Sequence, residues 1–489
     1  MAELKKKYVK DIIWSSIGIF SLGLSAFILN LLVGNISGVS DLGIIMLSYL
    51  LYHNLPLTLF SFGLDPAVTK LVAEYYDSRT RRRMIFNTAI TMALVFSIIS
   101  FIILYLLSET IAIKYFRNIN YKYLLRYFSL ACSIAILNKP VLGYLNGNQD
   151  LRARSLIETG RSILFICLTL FLLLYKYNVA VVPCSLLLSE FIFLVIGIIK
   201  TKPSLILLDN WKEFAKYSKS LFILGFPISF SSVMSRIGTR IDIIMIGFFI
   251  DTAAIGVYSF VLFIHEGTSM LTAAMQKVNI PFVTKLFYSK DNRLQEFIDI
   301  SINYSQILYS LIGVLIFSLA WEIPQLLYPG REEFINGIIP LKIFVVFMIV
   351  AGSISGLNGS ESLCVGKSYI NFYLVIAYLA SNVILNYILI PVFSLSGAAS
   401  ATLVSYSIIF IMSAYFRWKN LKVSFNWRKY LKNIILIIGV YSLVIYGTDK
   451  INHYILGILG VLLLLTFYLI TGGIRKQEID YLKGFFLKK

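Results

Sequence analysis

The chain has 489 residues, 58% of them hydrophobic and only 14% charged, with a mean hydropathy of +0.79. That balance excludes an ordinary soluble domain, and repeated apolar runs of about 18 to 25 residues are each long enough to cross a hydrocarbon core of about 30 Å as a helix. A net charge of +19 would suggest nucleic acid in a soluble protein; here the basic residues fall between apolar runs, so no nucleic-acid partner is expected.

In chain order the predicted spans are 11–34, 42–64, 85–108, 122–145, 155–176, 179–200, 221–249, 254–278, 298–320, 338–357, 369–390, 396–416, 431–447 and 453–472. The alternating pattern of a membrane barrel is missing, so the fold class is an all-α integral membrane protein of about 14 transmembrane helices. The stretch ELKKKYVKD precedes a first run too long for a signal peptide and without a small-residue cleavage site, which favours an uncleaved helix. Basic clusters lie at Lys5 to Lys10, Arg79 to Arg83, Lys212 to Lys219, Arg417 to Lys432 and Lys483 to Lys489. With fourteen spans each falls at a terminus or in an even-numbered connection, which the positive-inside rule makes cytoplasmic. Both termini are therefore expected inside a cell (plasma or inner) membrane. The connection 109–121, with Lys114 and Arg117, is the discordant one.

An internal duplication is written into the same frame. PAVTKL at Pro66 returns as PFVTKL at Pro281, 215 positions later; LNG at Leu145 returns at Leu357, 212 later; and Gly43 falls on Gly256, 213 later. Three landmarks in one order argue for two copies of one unit. The expected division is 1–205 and 206–420 as two six-helix lobes, with 421–489 holding two additional helices and a cytoplasmic tail. An even number of helices per copy gives both lobes the same orientation, with an axis along the membrane normal and a cavity between them. Alternating access is the mechanism this predicts. The extra pair is either packing or a groove for a lipid tail.

Charged groups inside lipid are functional candidates by default. The seventh span, LFILGFPISFSSVMSRIGTRIDIIMIGFF, carries Arg236, Arg240 one turn on, and Asp242 about 200° round from Arg240. The eighth carries His265 and Glu266, and the repeat offset sets Glu266 opposite His53 in the second span. Lys139, Glu158, Arg161 and Glu190 complete the first lobe's set. Two arrangements suit them. Arg236, Arg240, Lys139 and Arg161 line the cavity and hold an anionic substrate, guanidinium forks suiting phosphate oxygens; or they pair with Asp242, Glu158, Glu190 and Glu266 to lock helices. Glu158 and Arg161, spaced i,i+3, read as a simple helix pair. Pro56 and Pro227 each free a backbone carbonyl and predict a bend, static or used in gating. Cys132, Cys167, Cys184 and Cys364 lack paired spacing and read as small core residues, implying neither a disulfide frame nor a metal site. No phosphate-cradling glycine loop, HExxH or nucleophile elbow is present, so an enzyme is not expected. A membrane glycosyltransferase or polymerase is the alternative from another class, and would need a larger external loop with clustered carboxylates than 109–121 or 321–337 supplies.

The stretch ILNYILIPVFSLSGAASAT, Ile384 to Thr402, resembles the Asn-x-x-Leu-Ile-Pro then Gly-Ala-Ala-x-Ala-Thr signature of Wzx-type polysaccharide flippases. FGLDPAVTKLVAEYYD from Phe62 and SRIGTRIDIIMIGFFIDTAAIGVYS from Ser235 look like that family's second-helix exit and its seventh and eighth helices. The resemblance covers nearly the whole chain and implies the larger group that also holds MATE exporters and lipid II flippases. It implies a lipid-linked oligosaccharide on a polyprenyl diphosphate moved from the cytoplasmic to the outer leaflet, with membrane lipids and glycan-assembly proteins as partners and no organic cofactor. Na+, H+ or the membrane potential would drive the cycle, with Asp242, His265, Glu266 and His53 as coupling candidates. Two departures stand out. The first copy reads CSLLLS at Cys184 where the second reads GAASAT, and the first helix, Ile12 to Gly34, has no charge, unlike the arginine-bearing one expected of a lipid II flippase. A MATE-like drug exporter is the alternative, against which the two additional helices count.

Overall fold

The structure, a computed structural model, describes residues 2–175, 178–203, 211–290, 293–364, 369–448 and 451–473. Lys483, Lys488 and Lys489 and the side chain of Cys364 lie outside the described residues. Among the described residues the chain is helical, without strands. The helices are α1 (Ala2–Ile36), α2 (Val39–Tyr49), α3 (Leu55–Phe60), α4 (Leu64–Glu74), α5 (Arg79–Phe116), α6 (Lys122–Gly147), α7 (Leu151–Tyr175) and α8 (Val181–Thr201). They continue as α9 (Trp211–Phe249), α10 (Thr252–Tyr288), α11 (Leu294–Ser318), α12 (Glu322–Leu327), α13 (Ile338–Cys364), α14 (Tyr369–Leu421), α15 (Trp427–Gly447) and α16 (His453–Ile470).

Thirteen helical segments among the described residues are long and apolar enough to cross a membrane. One of them is α14, which turns at Ser394 (φ 52°, ψ −133°) into two legs, so the legs bring the spans to the expected fourteen. Every predicted span coincides with a helix, and several helices extend past the apolar run because their polar ends are capped in water. Ser78, for example, accepts the backbone N–H of Arg81 at the start of α5, and Asn426 accepts that of Lys429 at the start of α15. Large apolar side chains face outward along most spans, as lipid-facing helices require. The chain is a multi-pass membrane protein.

Contacts divide it into two compact units, Met1–Gly256 and Val257–Lys489. In the first, α5 to α8 pack around Phe86, Val141, Leu142, Leu145, Ile157 and Leu194. The repeated phrase has a packing role here: Val68 and Val72 of α4 seat against Gly143 and Gly147 of α6, where a side chain in place of either hydrogen would collide. In the second unit Val283 and Leu286, from the other copy of the phrase, join one buried cluster with Leu357 of the second LNG. Phrase and LNG thus belong to one helix packing in each unit.

The paired glycines also meet. A Cβ on Gly43 would strike the Thr252 carbonyl, and a Cβ on Gly256 would strike the Val39 carbonyl. Each glycine faces the residue four before the other, the reciprocal register of a two-fold contact. Helix α9, which by sequence opens the second copy, packs with the first unit: Gly225 abuts the backbone of Phe62 and Gly63, and Ser229 donates to the Thr58 carbonyl at 2.5 Å.

In the second unit α15 and α16 pack on α11 and α13 through Val314, Phe317, Val345, Ile349, Val440, Val444 and Leu464. Asn433 donates to Asn303 Oδ1 (3.0 Å) and Gln306 Oε1 (2.8 Å), and Ser310 meets the Tyr468 hydroxyl at 3.0 Å. His453 Nδ1 meets the Glu322 carboxylate at the other end of the helix pair. The signature stretch is a hairpin. Gly397 sits where any side chain would strike the Leu389 carbonyl, while Asn386 donates to Asn382 (2.7 Å) and Asn382 to Thr402 (3.3 Å) across the bend.

The cysteines depart in part from the core reading. Cys132 is buried, Cys184 half-buried, and Cys167 is exposed on the outer face of α7, where a thiol is apolar enough to face lipid.

Candidate functional site

The intramembrane charges of the first unit gather around a defect in its second span. Pro56 has no N–H and its ring crowds the carbonyl four residues earlier, so the helix widens into a π-helical turn, Leu50–Asn54, closed by Leu55 N–H onto the Leu50 carbonyl. The turn carries His53 and Asn54. His53 is 4% exposed, stacks on Tyr49 at 4.9 Å, and neither ring nitrogen has a hydrogen-bond partner among the described residues. Its backbone carbonyl faces the Cys132 thiol at 3.9 Å. Asn54 points the other way and accepts a hydrogen bond from the Arg236 guanidinium of α9.

Arg236 is exposed to an open cavity of about 710 Å3 lined by Pro227, Ile228, Ser231, Ser232, Ser235 and Arg236. Arg240 is half-buried one turn on, and Asp242 is 3% exposed. The proline of α9, Pro227, stands beside the crossing at Gly63 and Gly225, where Phe62, Phe222 and Phe226 lie 5.3 to 6.3 Å apart.

The remaining cations of this unit are held differently. Arg161 donates to Glu190 Oε1 at 2.9 Å; the Glu190 carboxylate is 2% exposed and also takes Asn138 Nδ2 at 2.7 Å. The expected Glu158–Arg161 pair does not form. Glu158 instead meets Arg154 Nε at 3.3 Å, and the same guanidinium makes a bidentate contact with Asp65, both bonds 3.0 Å. The reason is the cost of desolvation: a carboxylate as deep as Glu190 needs the nearest cation, and Arg154, with five donors, satisfies two carboxylates at once. Lys139, next to Asn138, is half-buried and makes no hydrogen bond or ion pair with any described residue.

In the second unit His265 packs between Phe344 (5.3 Å) and Phe347 (5.0 Å) of α13, with Glu266 half-buried beside it. Helix α10 is regular there, and Ser269 stands at the offset of Pro56, so the π turn has no counterpart. The structure thus brings His53 and Arg236 to one region through the π turn, and places Arg161 in an ion pair. Asn54, Asn138, Arg154 and Asp65 belong to the site's frame and were not singled out from sequence. Asn54 had one signal, its place two residues before the proline.

A family model described as "Polysaccharide biosynthesis protein" matches residues 8–287, and the chain belongs to that family. Among curated relatives, the capsular polysaccharide biosynthesis protein CapF of Staphylococcus aureus is 26% identical over 207 residues, 40% of this chain and 50% of that protein. The uncharacterized membrane protein MJ1375 of Methanocaldococcus jannaschii is 25% identical over 73% of this chain and 85% of its own. The fold is that of the lipid II flippase MurJ in an inward closed conformation, with a TM-score of 0.72 at 18% identity, covering 94% of this chain and 99% of the other. An inward-facing MATE multidrug transporter of the MOP superfamily also shares it, with a TM-score of 0.69 at 14% identity over 84% and 98%.

Proposed function

We propose that this protein is a flippase that moves a polyprenyl-diphosphate-linked oligosaccharide from the cytoplasmic to the outer leaflet of the cell membrane, by alternating access of two duplicated lobes. The observation that carries the reading is Arg236: a guanidinium on a span of a polysaccharide-biosynthesis protein, oriented by Asn54 and open to a cavity of about 710 Å3. A guanidinium that faces a cavity within a membrane span attracts phosphate and offsets its charge on the way past lipid. Arg240 and Lys139 add positive charge to the same unit, while Arg161, paired with Glu190, would reach substrate only by exchanging partners. The protein itself makes and breaks no covalent bond in this reading. Both termini are cytoplasmic, glycan-assembly proteins supply and receive the lipid, and Na+, H+ or the membrane potential drives the cycle through His53, Asp242, His265 or Glu266.

The test is translocation in proteoliposomes of a polyprenyl-diphosphate sugar, read with an impermeant probe of the outer leaflet, for wild type and Arg236→Ala. Wild type is expected to move the lipid and the folded variant to lose most of that rate. The shared MATE fold favours a second reading, ion-coupled export of a soluble cation. Wild-type protein that leaves the lipid in place and exports a cation against a gradient would replace the first reading with the second.

A further inference from the structure

Helix α9 contains six serines, and their hydroxyls divide into two sorts. Ser218 and Ser220 donate to carbonyls within their own helix at 3.1 and 3.2 Å, and Ser232 donates to the Ile228 carbonyl at 2.7 Å. Ser229 fastens the helix to the Thr58 carbonyl. That is the usual fate of a hydroxyl in a membrane helix, because an unsatisfied one in hydrocarbon costs several kcal/mol. Ser231 and Ser235 do neither. They have no hydrogen bond to any described residue, they are exposed, and both line the cavity that ends at Arg236.

Ser231 and Ser235 are one turn apart, about 6 Å along the axis, and Arg236 comes directly after them. One helix face therefore presents two unengaged hydroxyls, each both donor and acceptor, and then a guanidinium. A phosphate alone would use the cation and only the donor side of the hydroxyls, since its oxygens accept and do not donate. A polyol joined to a phosphate uses all three, since sugar hydroxyls are themselves donors and acceptors and match serine in either direction.

We infer that Ser231 and Ser235 form a glycan-reading subsite: Arg236 anchors the phosphate of the lipid-linked substrate, and the two serines hydrogen-bond hydroxyls of the sugar attached to it. The inference rests on the flippase reading and adds which part of the substrate each residue recognises. It also fixes the bound polarity. Because α9 runs from Trp211 through Pro227 to Phe249, the glycan lies toward the N-terminal side of Arg236 along the helix and the phosphate at Arg236.

The experiment measures binding to the full-length protein in nanodiscs of two probes, a polyprenyl diphosphate and the same lipid carrying a disaccharide. In wild type the glycosylated lipid should bind more tightly. In Ser231→Ala/Ser235→Ala the ratio of the two affinities should fall roughly tenfold toward one, as expected for two neutral hydrogen bonds. Arg236→Gln should weaken both lipids and leave their ratio. A ratio unchanged by the double serine variant, with thermal unfolding matching wild type, overturns the subsite while leaving the flippase reading intact. If neither lipid binds wild type, both are overturned.

Discussion

The two units bury polar groups in opposite ways. In the first they are charges that reach a cavity or one another, mostly across helices: Arg236 on Asn54, Arg161 on Glu190, Arg154 on Asp65 and, within α7, on Glu158. In the second they are mostly amides and hydroxyls that bond each other: Asn303, Gln306 and Asn433 between α11 and α15, and Asn382 with Thr402 in the hairpin of α14. A closed amide network specifies how helices pack. A charge that ends at a cavity has capacity left for something that enters. The contrast teaches that a polar residue in a span marks function only when its bonding is incomplete.

Breaking the strongest buried pair is the largest test of that distinction. Arg161→Ala leaves the Glu190 carboxylate with only Asn138 in a site 2% exposed, and losing one partner of a buried pair costs about 3–5 kcal/mol. The variant should unfold at markedly lower temperature in detergent, and Arg161→Met with Glu190→Gln should recover most of the loss. A single variant as stable as wild type would show that the pair is not structural, and would return Arg161 to the substrate contacts. The next effect is smaller and lies in the other unit. Asn433→Ala removes both amide bonds to Asn303 and Gln306, for about 1–2 kcal/mol at the values seen between membrane helices. Thermal unfolding should fall modestly while substrate binding stays at the wild-type value. Weakened binding would mean that α15 and α16 do more than pack.

The helical frame was legible in the sequence because hydropathy reports directly on lipid, and each of the fourteen expected spans is helical. The landmarks read as a duplication have steric duties: Gly43 and Gly256 touch backbone, and the phrases at Pro66 and Pro281 place Val68 and Val283 in cores. The signature that carried the family resemblance is also structural, a hairpin bent at Ser394 with Gly397 against the Leu389 carbonyl. Pairing was harder to read. Spacing along α7 favours Glu158 with Arg161, but the deep carboxylate of Glu190 comes from α8, and no local pattern reports which helices become neighbours. The π turn was invisible for a related reason: Pro56 announces a disturbance, and whether it becomes a kink or a widened turn depends on what packs beside it.

At that turn the two units differ at positions related by the repeat offset, since α10 continues as α-helix past Ser269. Pro56→Ala would supply the missing N–H, allowing residue 56 to bond the Tyr52 carbonyl in ordinary i−4 register. One such bond gains roughly 0.5–1.5 kcal/mol, offset by strain where His53 leaves its stack on Tyr49, so net stability should change by less than about 1 kcal/mol. Geometry should change more. Closing the π turn to an α turn would re-aim the side chains of the turn itself, Asn54 among them, while the packed helices on either side keep their faces. Asn54 would then no longer meet Arg236 as it does now. Translocation should therefore fall about tenfold or more in a protein that unfolds at nearly the wild-type temperature, because small displacements of a positioned group are costly to function. A Pro56→Ala protein that keeps the wild-type rate would show the π turn to be incidental, and the first unit's site would then rest on Arg236 without its orienting partner.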